Sequence, residues 1–520
     1  MNNLNPTNST MRDSLATKTI AVIAALALIG LPLFLVAWEH LASPNLWFDE
    51  SGQFFLSLGL HHYSSPNAPN GGWGMMLIHS RAMNGDPGGF TALLRLSGTL
   101  FGYSPVALRS LPFLFFLLTP IIILLSARRA GTHPVIAALA ASMPLGFPVL
   151  LHYATEIRPY SMETCAVAFL FFLPAWFLDK PRDWMVVALG CTAALLISSH
   201  YSAFLSGAAA CLVVLFPLRP LRPAVLRAAR FAIPLGIVVV ASYLLQARYL
   251  FGYLITGGGH VAPVFEPFVL NGKDAAARLA LLRENFLDIG PLPITIYLLA
   301  APFFIWLGPR SLQRLRSLVG RTFAFTAVSV TLVALASLTG KLPWAWPTRW
   351  SIGYQTLSAC CLAMTVIAVG TCLWQMTTRW LWKALVIAVM VCFVAAWSMQ
   401  LERAIRSEHP YLETIASHLQ TLARSPNAKS LRFFVQINAD PTTRYLVEYG
   451  PLKGAFGYPT NFHFETYEEA RDKSPIAAKD YDVIVLTHLQ FADSYSARIA
   501  DGTAQVVAAP APSCLLVLHK

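Results

Sequence analysis

Residues 111–127 read LPFLFFLLTPIIILLSA, an apolar run without a single charged side chain. Arg109 precedes the run, and Arg128 and Arg129 follow it. An α-helix needs about 20 apolar residues to cross the hydrocarbon core of a bilayer, because each residue advances the helix by only about 1.5 Å. The run and its charged ends therefore predict a membrane-spanning helix centred near Phe115.

The rest of the chain repeats this pattern. Of its 520 residues, 56% are hydrophobic and only 12% are charged, whereas soluble domains usually carry about 25% charged residues. The sequence thus predicts an integral membrane α-helical protein with about eleven transmembrane helices. The predicted spans are centred near Leu28, Phe115, Leu139, Phe169, Leu189, Val213, Val239, Leu298, Val330, Met364 and Val389.

Basic residues are concentrated in every second connection between the predicted spans. Cytoplasmic connections carry an excess of Lys and Arg, so the alternation predicts a multi-pass inner (plasma) membrane protein with a cytoplasmic N-terminus and an extracytoplasmic C-terminus. The net charge of +12 is divided among short clusters, which argues against nucleic acid as a partner. The clusters contain Arg128 and Arg129, Lys180 and Arg182, Arg219 to Arg230, Arg310 to Arg321, and Arg379 with Lys383.

The composition changes near residue 400. Residues 1–400 form the predicted membrane domain, and residues 401–520 are more polar, with strand-like runs at 431–437, 481–486 and 514–518. We expect a small extracytoplasmic α/β domain in this second part. Seven of the eight cysteines lie in apolar runs, so neither a disulfide framework nor a CxxC metal site is indicated.

The first connection on the predicted outer side, residues 42–105, is longer than a simple link between helices requires. Asp49 and Glu50 follow aromatic residues at its start. A carboxylate in low-dielectric surroundings is a better general base near neutral pH, so the pair is a candidate catalytic group. Two solvated loop acids are the plainer interpretation. Residues 90–101 predict an amphipathic helix that lies on the membrane interface.

Two other outer segments place an arginine at the end of a predicted span. Glu156 and Arg158 stand before Pro159, a residue suited to the first turn of a helix. Arg349 lies among tryptophans. A guanidinium offers a planar fork to a phosphate or a carboxylate. The alternatives are a local ion pair between Glu156 and Arg158, and an aromatic belt with a snorkelling arginine at 349.

The histidines on the predicted outer side are compatible with a bound divalent cation but do not require one. His200 ends the fifth predicted span, and His79, His152 and His260 lie in outer segments. No spacing among them matches a metal site, and a lone histidine in such a place is more often a satisfied interface residue. The motifs GxxxxGK[ST], HExxH and GxSxG are absent from the sequence, so nucleotide, zinc-protease and serine-hydrolase chemistry gain no support.

An ordered set of short motifs resembles one family. The motifs cover about the first 400 residues. They are Trp47-Phe48-Asp49-Glu50, Asp86-Pro87-Gly88-Gly89, Gly102-Tyr103-Ser104-Pro105 with Arg109, Glu156-Ile157-Arg158-Pro159-Tyr160, and Thr348-Arg349-Trp350. The set is similar to that of polytopic glycosyltransferases of the GT-C fold, in particular the glycosyltransferase family 39-like bacterial relatives of protein mannosyltransferases and of the lipid A aminoarabinose transferase.

This resemblance implies an inverting transfer of a sugar from a polyprenyl-phosphate donor to an envelope acceptor such as lipid A or lipopolysaccharide, a polysaccharide or a protein. Asp49 matches the catalytic base of the family, and Glu50 would support it. The implied donor-binding residues are Arg158, Arg349 and Tyr160. The implied acceptor-binding or loop-ordering residues are Asp86, Glu156 and His200. A polyprenyl-phosphate sugar is the implied co-substrate, and no cofactor is firmly implied.

The sequence departs from the family at two positions, where Gly88-Gly89 replace a second proline and Trp350 replaces a common tyrosine. A transporter or flippase is the main rival, since it too would have many spans. Transporters, however, usually bury ionisable residues at the midplane of broken, repeated helices, whereas the acids and bases here crowd the outer segments. A non-enzymatic scaffold would leave the long first connection unexplained.

Overall fold

The architecture is that of a computed structural model, which describes most of the membrane domain and part of the C-terminal region. The centres of the predicted spans near Leu28 and Val389 lie outside the described residues, as do Asp86, His260 and Arg349. The described residues are 29–41, 43, 45–61, 68–84, 87–179, 181–214, 221–255, 273–274, 276–278, 280, 292–339, 352–376, 410–436, 439–465, 481–486, 504–508 and 514–518.

Every predicted span centre inside the described ranges falls on a helix. Among the described residues, five helices are long and apolar enough to cross a bilayer, and four other apolar helices are shorter. The expected number of about eleven spans stays a prediction. The helices are α1 (Leu31–His40), α2 (Phe48–Ser57), α3 (Trp73–Asn84), α4 (Gly89–Phe101), α5 (Pro105–Arg129), α6 (Pro134–Ser142), α7 (Pro148–His152), α8 (Tyr160–Phe172), α9 (Asp183–Ile197), α10 (Tyr201–Val214), α11 (Leu221–Ile255), α12 (Leu292–Leu307), α13 (Gln313–Leu338) and α14 (Ile352–Met376).

Large apolar side chains cover the outward face of helix α12. Leu299, Phe303 and Trp306 are 65%, 65% and 79% exposed. Their spacing of four and three residues places them on one side of the helix. Such a stripe would be costly in water, because apolar surface is driven out of contact with it. It is suited to contact with lipid chains.

Prolines divide the predicted span near Leu139 into two helices. Helix α6 runs into a 3-10 turn, Met143–Gly146, and the chain continues as α7. Pro144 and Pro148 lack the amide hydrogen that a continuous helix would use. The turn that follows His152 contacts α2, since the Ile157 amide donates to Glu50.

Helix α8 occupies the interior of the bundle. Every residue of α8 is buried, and the helix packs against α5, α9, α10 and α14. Polar side chains on a helix with no exposed face need partners inside the protein, because a buried polar group without a hydrogen bond is costly. The side chains that hydrogen-bond to the polar residues of α8 are therefore candidates for a buried polar site.

Ion pairs join three of the predicted basic connections at one end of the bundle. Arg314 Nη2 lies 2.7 Å from Asp179 Oδ1, and Arg230 pairs with Asp183. Asp179 and Asp183 flank the connection between α8 and α9, while Arg230 and Arg314 belong to two other basic clusters. The three basic clusters thus lie close together, as expected if every second connection is on the same side of the membrane.

The described part of the first outer segment, residues 42–105 on the predicted outer side, folds into helices α2, α3 and α4. The amphipathic helix predicted for residues 90–101 is confirmed by α4, whose buried residues Phe90, Leu94 and Gly98 recur every four positions. Buried hydrogen bonds connect the three helices, since Thr91 Oγ1 accepts from Gln53 Nε2 (2.7 Å) and is hydrogen-bonded to Ser80 Oγ (2.8 Å). The three described helices of the segment thus form a packed layer.

The C-terminal region contains helix α15 (Pro410–Ala423) and a five-stranded sheet of order β2-β1-β3-β5-β4. Strand β1 is parallel to β2 and β3, and β5 is antiparallel to β3 and β4. The strands predicted within 431–437, 481–486 and 514–518 are confirmed as β1, β3 and β5, whereas β2 and β4 were not predicted. The strands are β1 (Phe433–Val435), β2 (Phe462–Phe464), β3 (Val483–Leu486), β4 (Ala504–Ala508) and β5 (Cys514–Leu518).

After strand β1 the chain turns back to the membrane domain. The short helix α16 (Asp440–Arg444) continues as a π-helical turn, Tyr445–Tyr449. Helix α16 packs against α2, and Tyr445 belongs to the large hydrophobic core of the membrane helices. The C-terminal region therefore rests directly on the first outer segment.

Candidate active site

A buried ion pair between Glu50 and Arg109 is the structural centre of the candidate site. Arg109 Nε donates to Glu50 Oε1 (3.0 Å), and Nη2 donates to Oε2 (2.6 Å). Glu50 lies in the first turn of α2 and Arg109 near the start of α5, and their exposed fractions are 2% and 6%. A bidentate Arg–carboxylate pair of this kind fixes the relative orientation of its two helices.

Arg109 also holds the chain that enters α2. Its Nη1 donates to the carbonyl oxygens of His40 (3.2 Å) and Ser43 (2.6 Å), and its Nη2 donates to that of Asn45 (2.6 Å). One guanidinium therefore satisfies three backbone acceptors between α1 and α2. This arrangement determines where α2 begins, and with it the position of Asp49.

Glu50 joins this group to a distant part of the sequence. The backbone amide of Ile157 donates to Glu50 Oε1 (3.1 Å), a contact between residues 107 positions apart. Ile157 lies between Glu156 and Arg158, in the turn that connects α7 to α8. Asp49, whose Oδ2 is buried, is adjacent to Glu50 in the sequence. The structure thus brings two of the predicted motifs to one place.

The turn before α8 is itself buried and polar. Glu156, Arg158 and Tyr160 are 5%, 8% and 2% exposed. Arg158 Nη2 donates to the Tyr160 hydroxyl (3.3 Å), and its guanidinium carbon lies 5.5 Å from the centroid of that ring. His152 Nε2 lies 3.9 Å from Glu156 Oε2. The predicted donor-binding residues Arg158 and Tyr160 therefore form one unit.

A second polar cluster lies one helical turn further along α8. The Ser202 hydroxyl donates to Glu163 Oε1, and His200 Nδ1 lies 2.8 Å from Ser202 Oγ and 3.7 Å from Glu163 Oε2. Because the hydroxyl has a single hydrogen, Nδ1 must be the donor in its bond to Ser202. His200 is thus a member of a network that holds α10 against α8.

The same cluster also contacts the start of α14. A Cβ atom built on Gly353 would stand 3.0 Å from Glu163 Oε1, so a larger residue there would press on the carboxylate. Helix α14 follows the predicted donor-binding residue Arg349 in the chain. Glu163 was not predicted from the sequence. The available signal was an acid inside an otherwise apolar span, which is a rare and usually functional feature.

The glycines of the Asp86 motif allow a close approach of backbones. Gly88 has a φ of +84°, a conformation that glycine adopts readily. The amide of Gly89 donates to the carbonyl of Ser198 (3.1 Å), and a Cβ atom on Gly89 would collide with the Ser198 side chain. This contact places the start of α4 beside the turn that carries His200.

The predicted site residues thus divide into three sets. Glu50 is bonded to the turn that carries Glu156 and Arg158, with Asp49 next to Glu50 in α2 and Tyr160 at the start of α8. His200 joins the neighbouring network of Glu163. Asp86 and Arg349 lie outside the described residues. The catalytic and binding roles assigned to all of them stay predictions.

Metal binding by histidine and acidic side chains stays open as well. Within the described residues, no group of three or more His, Cys, Asp or Glu side chains is arranged to hold a metal ion. His61 and His79 lie against each other, with ring centroids 5.6 Å apart. His260 is not among the described residues, so the predicted set of histidines is only partly placed.

Comparison with known proteins shows the fold. No protein-family model and no curated protein sequence matches the chain. Among solved structures, the chain is similar to ArnT from Cupriavidus metallidurans, with a TM-score of 0.50 to both the apo form and the form bound to undecaprenyl phosphate. The chain shares the GT-C fold of ArnT.

The likeness to ArnT extends over nearly the whole of both proteins. It covers 96% of this chain and 98% of ArnT, at 13% sequence identity to the complex and 14% to the apo form. At such low identity the likeness concerns the fold and not the residues. Together with the apolar helices, it confirms that the chain is a membrane protein of GT-C architecture.

Proposed function

We propose that the chain is an inverting glycosyltransferase that moves a sugar from a polyprenyl-phosphate donor to an envelope acceptor at the outer face of the inner membrane. The observation that supports the proposal is the bond from the Ile157 amide to Glu50, which holds the first turn of α2, where Asp49 lies, against the turn of Glu156 and Arg158. The fold shared with ArnT, a protein captured with undecaprenyl phosphate, supports the same class of donor.

Asp49 is the proposed general base. It would remove the proton of the acceptor hydroxyl while the acceptor oxygen forms a bond to the anomeric carbon. The bond from that carbon to the phosphate oxygen breaks, and the polyprenyl phosphate leaves with the electron pair. Attack on the face opposite the leaving phosphate inverts the anomeric centre. A carboxylate placed in this way typically contributes a factor of about 10² to 10⁴ in rate.

Arg158 is the proposed partner of the leaving phosphate. Its guanidinium is held against Tyr160, and this fixed positive charge would stabilise the negative charge that develops on the leaving phosphate without the need to reorganise solvent. Arg349, which lies outside the described residues, is proposed as a second phosphate-binding cation. Asp86 and Glu156 would order the loops around the sugar and acceptor.

Glu50 is assigned a positioning role and not that of a second base. Both of its carboxylate oxygens are engaged by Arg109, and one also accepts from Ile157. Such a carboxylate has little capacity left for an acceptor hydroxyl. Its function is to hold Asp49 beside the turn that carries Arg158.

The proposed donor is compatible with the absence of a nucleotide-binding motif. A lipid-linked sugar diffuses within the membrane and presents its phosphate at headgroup height, where aromatic and basic interface residues are concentrated. The enzyme then needs no glycine-rich loop to recognise a nucleoside diphosphate. The lateral route is also compatible with a chain in which 56% of the residues are hydrophobic.

The test is sugar transfer in proteoliposomes supplied with polyprenyl-phosphate sugars and envelope lipids. Asp49→Asn should reduce the turnover by about 10²- to 10⁴-fold. The control Asp179→Asn removes an exposed acid that pairs with Arg314 and should leave turnover unchanged. Full turnover by Asp49→Asn would reject the base assignment. A wild-type protein that moves such lipids across the bilayer without consuming them would be a flippase.

A further inference from the structure

The C-terminal region contacts the same helix that carries Asp49 and Glu50. Phe54 and Phe55 lie in the second half of α2, and both are fully buried. The ring of Phe54 is 5.3 Å from that of Tyr445 and 5.1 Å from that of Tyr449, with interplanar angles of 80° and 74°. These are edge-to-face contacts, the geometry that aromatic rings prefer.

A buried arginine extends this contact to Phe55. The guanidinium carbon of Arg444 lies 4.7 Å from the centroid of the Phe55 ring, and Arg444 is only 1% exposed. Its Nε donates to Glu448 Oε2 (2.9 Å), which also accepts from the Tyr458 hydroxyl (2.7 Å). A cation over an aromatic face is attracted more strongly when both are desolvated.

Tyr445 reaches the charged centre of the site. Tyr445 is 1% exposed and packs in the core of the membrane domain; burial raises the pKa of its hydroxyl to about 12, and the nearby Arg109 and Glu50 shift that pKa in opposite directions. The contact is therefore not limited to the far end of α2. Tyr445 therefore lies near the ion pair in the first turn of α2 as well as against Phe54.

The contacting segment is an irregular helix anchored in the C-terminal sheet. It follows directly on β1, a strand with three buried residues, and changes from α-helix to π-helix at Tyr445. Such π turns are rare and often occur at functional sites. Here the turn lies where Tyr445 and Tyr449 meet Phe54.

We propose that the C-terminal region is a clamp that positions helix α2 for the transfer reaction, with Tyr445, Tyr449 and Arg444 as its positioning residues. The part that concerns transfer rests on the proposed function, whereas the hold on α2 does not. The clamp acts from outside the site: none of the three residues is assigned a contact with substrate.

The first measurement is hydrogen–deuterium exchange of the full-length protein. In the double variant Tyr445→Ala/Tyr449→Ala, peptides covering α2 should exchange about tenfold faster, while peptides of β1 and β3 remain protected. The double variant Tyr445→Phe/Tyr449→Phe keeps both rings and should retain the protection of α2. Tyr481→Ala is the matched control, because Tyr481 contacts Phe434 and His463 within the C-terminal region.

The second measurement is sugar transfer by the same variants. A small displacement of a catalytic group can reduce the rate by about 10²-fold, so the alanine pair should reduce kcat by about 10- to 100-fold with little change in the KM for the donor. The phenylalanine pair and Tyr481→Ala should keep the wild-type kcat. A wild type that consumes no donor would reject the proposed function, and the exchange data would then decide the clamp alone.

Three outcomes would overturn the clamp. The first is unchanged protection of α2 in the alanine pair. The second is a faster exchange of α2 with undiminished kcat, which would remove its role in transfer. The third applies if the alanine pair unfolds the C-terminal sheet. Phe54→Leu then removes the aromatic contacts from the α2 side, and a wild-type exchange rate of α2 in that variant would overturn the clamp.

Discussion

Glu50 and Arg109 are both buried, and each neutralises the charge of the other. Their carboxylate and guanidinium are 3% and 7% exposed, so both have lost nearly all of their water. The pair alone contributes little net stability, since desolvation offsets much of the attraction. Removing one member is different, because the remaining charge keeps its desolvation cost and loses its partner.

Glu50→Gln should therefore destabilise the protein by about 3–5 kcal/mol, measured as thermal or denaturant unfolding in detergent. The double variant Glu50→Gln/Arg109→Gln removes both charges and should recover part of that loss. Asp183→Asn, which breaks the exposed pair with Arg230, is the control and should cost less than about 1 kcal/mol. Wild-type stability of Glu50→Gln would show that Arg109 does not depend on this carboxylate.

At the scale of secondary-structure elements, the approach of α4 to the end of α9 depends on a missing side chain. The Gly89 amide donates to the Ser198 carbonyl at 3.1 Å, in space that any Cβ atom would occupy. Ser198 stands two residues before His200. The contact therefore links the layer that contains Asp49 to the network of Glu163.

Gly89→Ala should force α4 away from this turn, with a loss of stability of about 1–3 kcal/mol and slower sugar transfer. Gly74→Ala is a matched control inside helix α3, because a Cβ atom there meets no neighbour within 4 Å. It should be neutral or slightly stabilising, as alanine favours a helix over glycine by up to about 1 kcal/mol. Equal melting temperatures of the two variants would contradict the close approach.

At the scale of the whole molecule, the contact between the C-terminal region and the membrane domain contains a titratable acid. Asp440 begins helix α16 and is 4% exposed, and among the described residues its Oδ1 has no hydrogen-bond partner. Burial raises the pKa of Asp440 to about 7; Arg444 opposes the shift and Glu448 adds to it. The folded state therefore favours the protonated, neutral form of Asp440.

The sign of the pH dependence follows from proton uptake. An unfolded Asp loses its proton near pH 4, whereas the buried Asp440 keeps it to about pH 7. Between these values the folded state binds more protons, so stability must fall as the pH rises through this window. Above about pH 7 the cost of the buried charge is fully present.

Asp440→Asn should remove this loss, because the amide is neutral at every pH. We expect the variant to be more stable than wild type by about 1–3 kcal/mol at pH 8 and similar to it near pH 4. Hydrogen exchange of peptides that cover α16 measures the difference locally. The exposed Asp183→Asn serves again as control. A variant that keeps the wild-type pH profile would place the titration elsewhere.

The sequence by itself determined the membrane class of the protein and the approximate position of its helices. Apolar runs of about 20 residues have few stable alternatives to a helix in lipid, and α4 and strands β1, β3 and β5 followed from local pattern. The short strands β2 and β4 and the break at Pro144 and Pro148 were missed. Local pattern does not show which neighbours complete a sheet or divide a span.

Only the tertiary structure decided which polar residues belong together. The order of motifs indicated Asp49 and Arg158, but the observed hydrogen bond joins their sequence neighbours, Glu50 and the amide of Ile157, 107 residues apart. No periodicity reveals a contact of that kind, since it depends on how α2, α5 and α8 pack. The network of Glu163 and the contact between Tyr445 and Phe54 also could not be predicted from the sequence. The neighbours of a side chain depend on the arrangement of whole helices, and its own segment does not specify them.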